Sequence, residues 1–125
     1  GDAVYAKRDA LIKLVKDLNK EGKTVAAYGA SGRATVHLNF CKFTTDDVAF
    51  VSDASDERRG RLVPGARIPI VKEEVFRKER PDYTILFAYN FLKEILKKEQ
   101  DYLAAGGKFI IPVPEPKVVD RATNP

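Results

Sequence analysis

The stretch Thr24-Val25-Ala26-Ala27-Tyr28-Gly29-Ala30-Ser31-Gly32-Arg33-Ala34 decides the fold. Thr24 to Tyr28 is a short, uniformly apolar run, which fits a strand covered on both faces. Gly29 follows at once and supplies a tight turn. Ser31 is a residue type that caps helices, and a helix is expected from it through Cys41, with Ala34, Val36, Leu38, Phe40, Cys41 and Phe43 spreading apolar surface over a wide face. Strand, glycine corner and helix in so few residues are the opening of a Rossmann-like unit.

The same alternation extends in both directions. Upstream, Val4, Leu11, Leu14, Val15 and Leu18 recur among lysines between Ala3 and Lys20, the pattern of an amphipathic helix, and Gly22 stops it. Downstream, short strands are expected at Val48 to Ser52 and Ile68 to Val71, separated by a basic loop with turn signals at Gly60 and Pro64-Gly65. Lys72 to Arg80 has helical composition and Pro81 ends it. Tyr83 to Ala88 is a buried strand, and Asn90 reads as the N-cap of a helix to Ala105 with a break near Gln100. Gly106-Gly107 stops that helix before a last strand, Lys108 to Val113, and the chain from Pro114 reads as a frayed, extended tail.

Alternating short strands and helices predict an α/β, doubly wound, mostly parallel five-stranded sheet in the order 3-2-1-4-5, preceded by the amphipathic helix. Residues 1–22 form a linker helix in this reading, 23–115 the Rossmann-like domain and 116–125 the tail. Ligands of such sheets sit outside the carboxyl ends of the strands, where the chain changes direction. In this sequence that rule brings Tyr28 to Arg33 opposite Ala88 to Asn90.

Composition narrows the function classes. With 125 residues, 44 % of them hydrophobic, the chain fits one domain with a continuous core. No run approaches the ~20 apolar residues of a membrane span, and neither a signal peptide nor a membrane partner is expected. A net charge of +4, with lysines interleaved among acids as in Lys72-Glu73-Glu74, suits a solvated surface better than a nucleic-acid stripe. The single cysteine, Cys41, forms no internal disulfide, and a cytoplasmic setting is expected. Methionine is absent, so the chain is expected to be a fragment or a processed product.

The glycine corner is a natural anion site, because backbone amides at a helix start approach a phosphate. Gly29 and Ala34 fill two small positions of the dinucleotide fingerprint, while Ser31 replaces its second glycine. Asp53 lies about 20 residues on, where an acid can accept from a ribose hydroxyl; it can equally cap the loop Ser52 to Asp56. Arg33 in the first helical turn opposes the macrodipole, a cost that a bound anion removes. Arg58, Arg59 and Arg61 read first as a hydrated loop and second as a diphosphate clamp. His37 and Cys41 have no partners at catalytic or metal-ligand spacing, so no catalytic residue and no metal site are expected.

Four ordered segments add a resemblance. They are Tyr28 to Arg33 with Leu38-Asn39-Phe40; Gly60-Arg61 with Pro64-Gly65 and Ile68-Pro69-Ile70; Arg80-Pro81-Asp82-Tyr83 with Asn90; and Gly106-Gly107-Lys108-Phe109 with Pro112-Val113-Pro114-Glu115. Together they resemble the C-terminal domain of the S-adenosylmethionine-dependent sugar C-methyltransferase family. The resemblance implies upstream domains of the same chain as partners: a zinc-binding region and a middle domain that carries S-adenosylmethionine and the methyl transfer, with no cofactor on this domain. It also implies that a nucleotide-linked keto sugar is the substrate, positioned here by Tyr28, Gly29, Ala30, Ser31 and Arg33, with Tyr89 and Asn90 opposite; Asp53 joins this expected substrate-binding set from its spacing alone. Tyr89 stands where the family usually has a tryptophan. On this reading the domain alone is inactive. The other reading is a free-standing nucleotide- or phosphate-binding module without catalysis.

Overall fold

A computed structural model describes residues 2–123 of the chain. Its order is α1 (Asp2–Lys20), β1 (Val25–Tyr28), α2 (Gly32–Phe40), β2 (Val51–Ser52), β3 (Ile70–Val71), α3 (Glu73–Glu79), β4 (Tyr83–Leu86), a 3-10 turn (Tyr89–Phe91), α4 (Leu92–Lys98), α5 (Gln100–Ala104), β5 (Lys108–Ile111) and β6 (Lys117–Val119). The sheet runs β3-β2-β1-β4-β5-β6, parallel throughout except for β6. The expected order therefore holds for the first five strands.

The sixth strand corrects the reading of the tail. Lys117 to Val119 pairs antiparallel with β5, Val119 opposite Phe109 and Lys117 opposite Ile111. A three-residue strand that follows Pro114 and Pro116 and begins on a lysine gives little local signal, and it forms because β5 would otherwise expose an unpaired edge. Residues 1, 124 and 125, at the ends of the expected linker helix and tail, lie outside the described residues.

Strand side chains alternate between two layers, as a pleated sheet requires. Val25, Ala27, Ile85, Phe87 and Ile110 face one core, together with Leu11, Val15 and Leu18 of α1 and Ala34 and Leu38 of α2. Tyr28, Leu86, Phe109 and Ile111 face the other, under Phe76 of α3, Ile95 and Leu96 of α4, and Tyr102 and Leu103 of α5. Burial of both faces explains why the strands read as continuous apolar runs. The helix α1 thus packs on the sheet through its second half, while Val4 and Tyr5 in its first turns remain about half exposed.

One clasp fixes the start of the two central strands. Thr24 donates its N–H and its hydroxyl to Asp82 Oδ2, at 2.8 and 3.1 Å, and the Asp82 N–H donates back to Thr24 Oγ1 at 2.9 Å. The Thr24 N–H bond, helped by the hydroxyl and by Lys23 and Lys108, holds the Asp82 carboxyl below its ordinary pKa despite partial desolvation. A depressed folded pKa adds stability above the unfolded value and loses it as pH falls through the folded one. Asp82→Asn should therefore cost about 1 kcal/mol at pH 7, a discounted value for an exposed carboxylate, with the gap from the parent closing below about pH 4. Urea midpoints at the two pH values measure it; a gap independent of pH would show that the charge contributes nothing.

Candidate functional site

The carboxyl ends of β1 and β4 lie side by side, Tyr28 paired with Leu86. Beyond them the chain diverges, into α2 after β1 and into the 3-10 turn and α4 after β4. α2 contributes to one core and α4 to the other. This divergence is the switch point, and the two segments expected to meet there do meet.

Gly29 makes the approach feasible. It adopts φ +91°, and a Cβ on it would sit 3.3 Å from the Ala88 Cβ. The left-handed conformation and the close neighbour both favour glycine. Its N–H donates to the Ser52 carbonyl at 2.7 Å, tying the corner to β2.

Across the crevice, Arg33 Nη1 donates to Asn90 Oδ1 at 2.9 Å, and the Arg33 guanidinium lies 4.6 Å from the centroid of the Tyr89 ring. Stacking and hydrogen bond together fix the plane of the guanidinium. Arginine has five N–H donors and spends one on Asn90, whose own amide group keeps its two N–H donors. The Ser31 hydroxyl makes no cap bond, so the first-turn amides of α2 add further donors pointing along the helix axis. The groups left unpaired here, the remaining Arg33 and Asn90 N–H donors and the first-turn amides of α2, are donors, which suits an oxygen-rich anion such as a phosphate.

Two expected site residues have other duties. Tyr28 points its side chain away from the crevice into the core formed with α3, α4 and α5, where it is 5 % exposed. Its hydroxyl donates to Glu99 Oε2 at 2.6 Å and lies 3.1 Å from Glu73 Oε2. Burial, followed by these carboxylates, pushes the phenol pKa up, so it stays protonated. Only the Tyr28 backbone borders the crevice, because side chains alternate along a strand and Ala27 takes the other face.

Asp53 is a brace of the corner. Its carboxylate accepts the Ala30 N–H at 2.9 Å and the Ser55 N–H at 2.7 Å, and Arg58 lies 3.4 Å away. The residue is 8 % exposed, so it presents no open oxygen to a ribose diol. Asp53 is therefore not free to anchor a ribose diol at this corner, that of S-adenosylmethionine included. The loop-capping alternative describes the Ser55 bond, and the bond to Ala30 holds the glycine turn in shape.

Asn90 is also not the N-cap it was expected to be. It sits within the 3-10 turn, and α4 starts two residues later from Phe91, without a side-chain cap. That leaves its amide to meet Arg33. Arg58 pairs with buried Asp53 and Arg59 with Asp56, and the buried Arg59 Nε makes no hydrogen bond, so this loop is only partly hydrated. Arg61 belongs to a segment whose backbone covers the outer edge of β3, with Ile70 donating to the Arg61 carbonyl. Cys41 is buried, and burial pushes its thiol up to about 11. No group of three or more metal-ligating side chains occurs among the described residues, and no helix there is long and apolar enough to cross a membrane.

Reading the sequence set Ala88 opposite the glycine corner without giving a role to its Cβ, which sets the width of the crevice, and it missed Glu99, which holds Tyr28. The glycine at position 29 was the available signal for the first. A glutamate within Lys97-Lys98-Glu99-Gln100 gives none for the second, since it resembles any solvated helical residue.

A mostly parallel sheet, two helical layers and a donor-lined crevice at the switch point define a Rossmann-like α/β domain. The family model for the C-methyltransferase C-terminal domain matches residues 1–114. The C-methyltransferase NovU of Streptomyces niveus is 38 % identical over 117 residues, which are 94 % of this chain and 28 % of that protein. The chain belongs to the C-methyltransferase C-terminal domain family, and it spans only about 28 % of the length of the curated relative that it matches.

Proposed function

We propose that this domain holds the anionic, nucleotide-linked part of a keto sugar in the crevice between Gly29–Arg33 and Ala88–Asn90. Methyl transfer to that sugar is then the work of upstream domains of a longer, cytoplasmic C-methyltransferase. Those domains carry the S-adenosylmethionine, and this one supplies no catalytic residue. The observation that carries the reading is Arg33, stacked on Tyr89 and bonded to Asn90 with most of its donors still available.

In this reading Arg33 pairs with phosphate oxygens, the first-turn amides of α2 add short-range donors, and Asn90 reaches a sugar hydroxyl or carbonyl. Tyr89 holds the guanidinium in position and offers a ring on which the sugar can rest. Holding the sugar rigidly converts encounter with the methyl donor into a positioned reaction, which is what a remote binding domain contributes to rate.

Calorimetric titration of the chain with uridine diphosphate and with a nucleotide-linked hexose tests it. Binding is expected, and Arg33→Glu should weaken it at least tenfold, because it removes a phosphate partner and places a negative charge beside the anion. Asn90→Ala should reduce the advantage of the sugar nucleotide over the diphosphate. S-adenosylmethionine should give no heat. Binding indifferent to Arg33→Glu, or no binding at all, would overturn the assignment.

A further inference from the structure

A cavity of about 210 Å³ opens between α1 and α2, bordered among others by Val4, Arg8, His37, Phe40, Cys41 and Pro112. Its walls are mainly carbon, and its polar groups are confined to Arg8, Lys7 and the His37 ring. It lies beside the crevice, because His37 follows Arg33 by four residues on α2. That interval is one helical turn, with a rise of about 6 Å, and it places both side chains on one face. Pro112 follows β5 directly, so the cavity also reaches the carboxyl edge of the sheet.

We propose that this cavity receives the nucleobase of the same nucleotide whose phosphates meet Arg33. The proposal rests on the function argued above and extends it to the part of the ligand that identifies the nucleotide. A ribose bridges base and 5′-phosphate over a span comparable to one helical turn, so a ligand anchored at Arg33 delivers its base to His37. The volume suits one base and excludes a whole nucleotide, since sites for complete drug-sized ligands begin at about 300 Å³.

The walls match a flat aromatic guest with a polar edge. His37 stacks on Phe87, ring centroids 5.4 Å apart and planes at 23°, which fixes its imidazole. Burial and then the charge of Arg33 lower its pKa, keeping the ring neutral with one donor and one acceptor for a base edge. Arg8 lies over the Phe40 ring at 5.0 Å and the Tyr5 ring at 4.8 Å, and its Nε and Nη2 are turned to Asp9. Its Nη1 is left to donate to a base carbonyl. Cys41, protonated and buried, closes the end with an apolar surface.

Titrations of ribose 5-phosphate, uridine 5′-phosphate and adenosine 5′-phosphate into the chain, followed by amide chemical shifts, separate the parts of the ligand. Either or both nucleotides should bind at least tenfold more tightly than ribose 5-phosphate and shift amides of α1 and α2 around the cavity. Val4→Trp, which fills the mouth from a half-exposed position with little risk to the fold, should abolish that advantage and leave ribose 5-phosphate unaffected. His37→Ala should change the preference between the two bases, while Arg33→Glu weakens all three ligands. Nucleotides that bind no better than ribose 5-phosphate, or whose advantage survives Val4→Trp, would overturn the base site and leave the phosphate site standing. Absence of binding by all three ligands would overturn both.

Discussion

Glu99→Ala is expected to lower the unfolding free energy by about 3 kcal/mol, the lower end of what breaking a buried ion pair costs. Glu99 is 2 % exposed and has three hydrogen bonds to lose. Arg77 Nε donates to its Oε1 at 3.1 Å and Arg77 Nη2 to its Oε2 at 2.9 Å, while the Tyr28 hydroxyl donates at 2.6 Å. The effect falls at the lower end because the partners have alternatives. Arg77 is 42 % exposed at its side chain and keeps a second carboxylate, Glu73 at 3.2 Å; the Tyr28 hydroxyl also retains Glu73. Glu73 is itself held by Lys98 at 2.7 Å. Burial raises the Glu73 pKa, but the Lys98 bond and charge outweigh it, and the net shift is downward, so this carboxylate stays ionised.

Glu99→Gln separates charge from shape. Its amide oxygen can still accept from Tyr28, but its NH₂ faces a guanidinium, so about half the loss is expected. Urea denaturation of both variants measures the difference. Equal stability of Glu99→Ala and the parent would mean that Arg77 and Tyr28 gain nothing from this carboxylate. A loss of that size is serious for a domain whose total stability is about 5–15 kcal/mol.

The parts of the molecule that were legible in the sequence are those governed by local rules. The run Val25 to Tyr28 followed by Gly29 announces a buried strand and a tight corner, and the first five strands take the expected order. Strand ends were less legible: Val48 to Ser52 shrinks to Val51–Ser52, although Ala49 still donates to the Val25 carbonyl and Ala27 to that of Phe50. What escaped depends on partners far away in sequence. Tyr28 could not be assigned to a face without knowing that Glu99, 71 residues later, waits beneath it. The spacing of Asp53 was visible, yet the same spacing serves a ribose or the Ala30 N–H, and only the fold decides between them. Arg33 and Asn90 were each readable as local features, an odd cation and a cap, and their meeting follows from topology.

Gly29→Val is expected to damage stability and binding together, because one residue sets both the turn and the width of the crevice. At φ +91° a β-branched residue is strained by about 1–3 kcal/mol, and its Cβ meets that of Ala88 at 3.3 Å, so one side of the corner must give. The Gly29 side is the less able to move: its N–H is bonded to Ser52, and the next N–H, that of Ala30, is bonded to buried Asp53. Displacement therefore falls on Ala88 to Asn90, which carries Tyr89 and Asn90 away from Arg33 and should weaken diphosphate binding at least tenfold. The milder Gly29→Ala combined with Ala88→Gly divides the effect. Ala88→Gly removes the contact without relieving the backbone strain, so the double variant should regain binding while remaining less stable than the parent, with a coupling of about 0.5–3 kcal/mol. If Ala88→Gly added to the damage of Gly29→Ala instead of offsetting it, the close approach of these two residues would not be what holds the crevice at its working width.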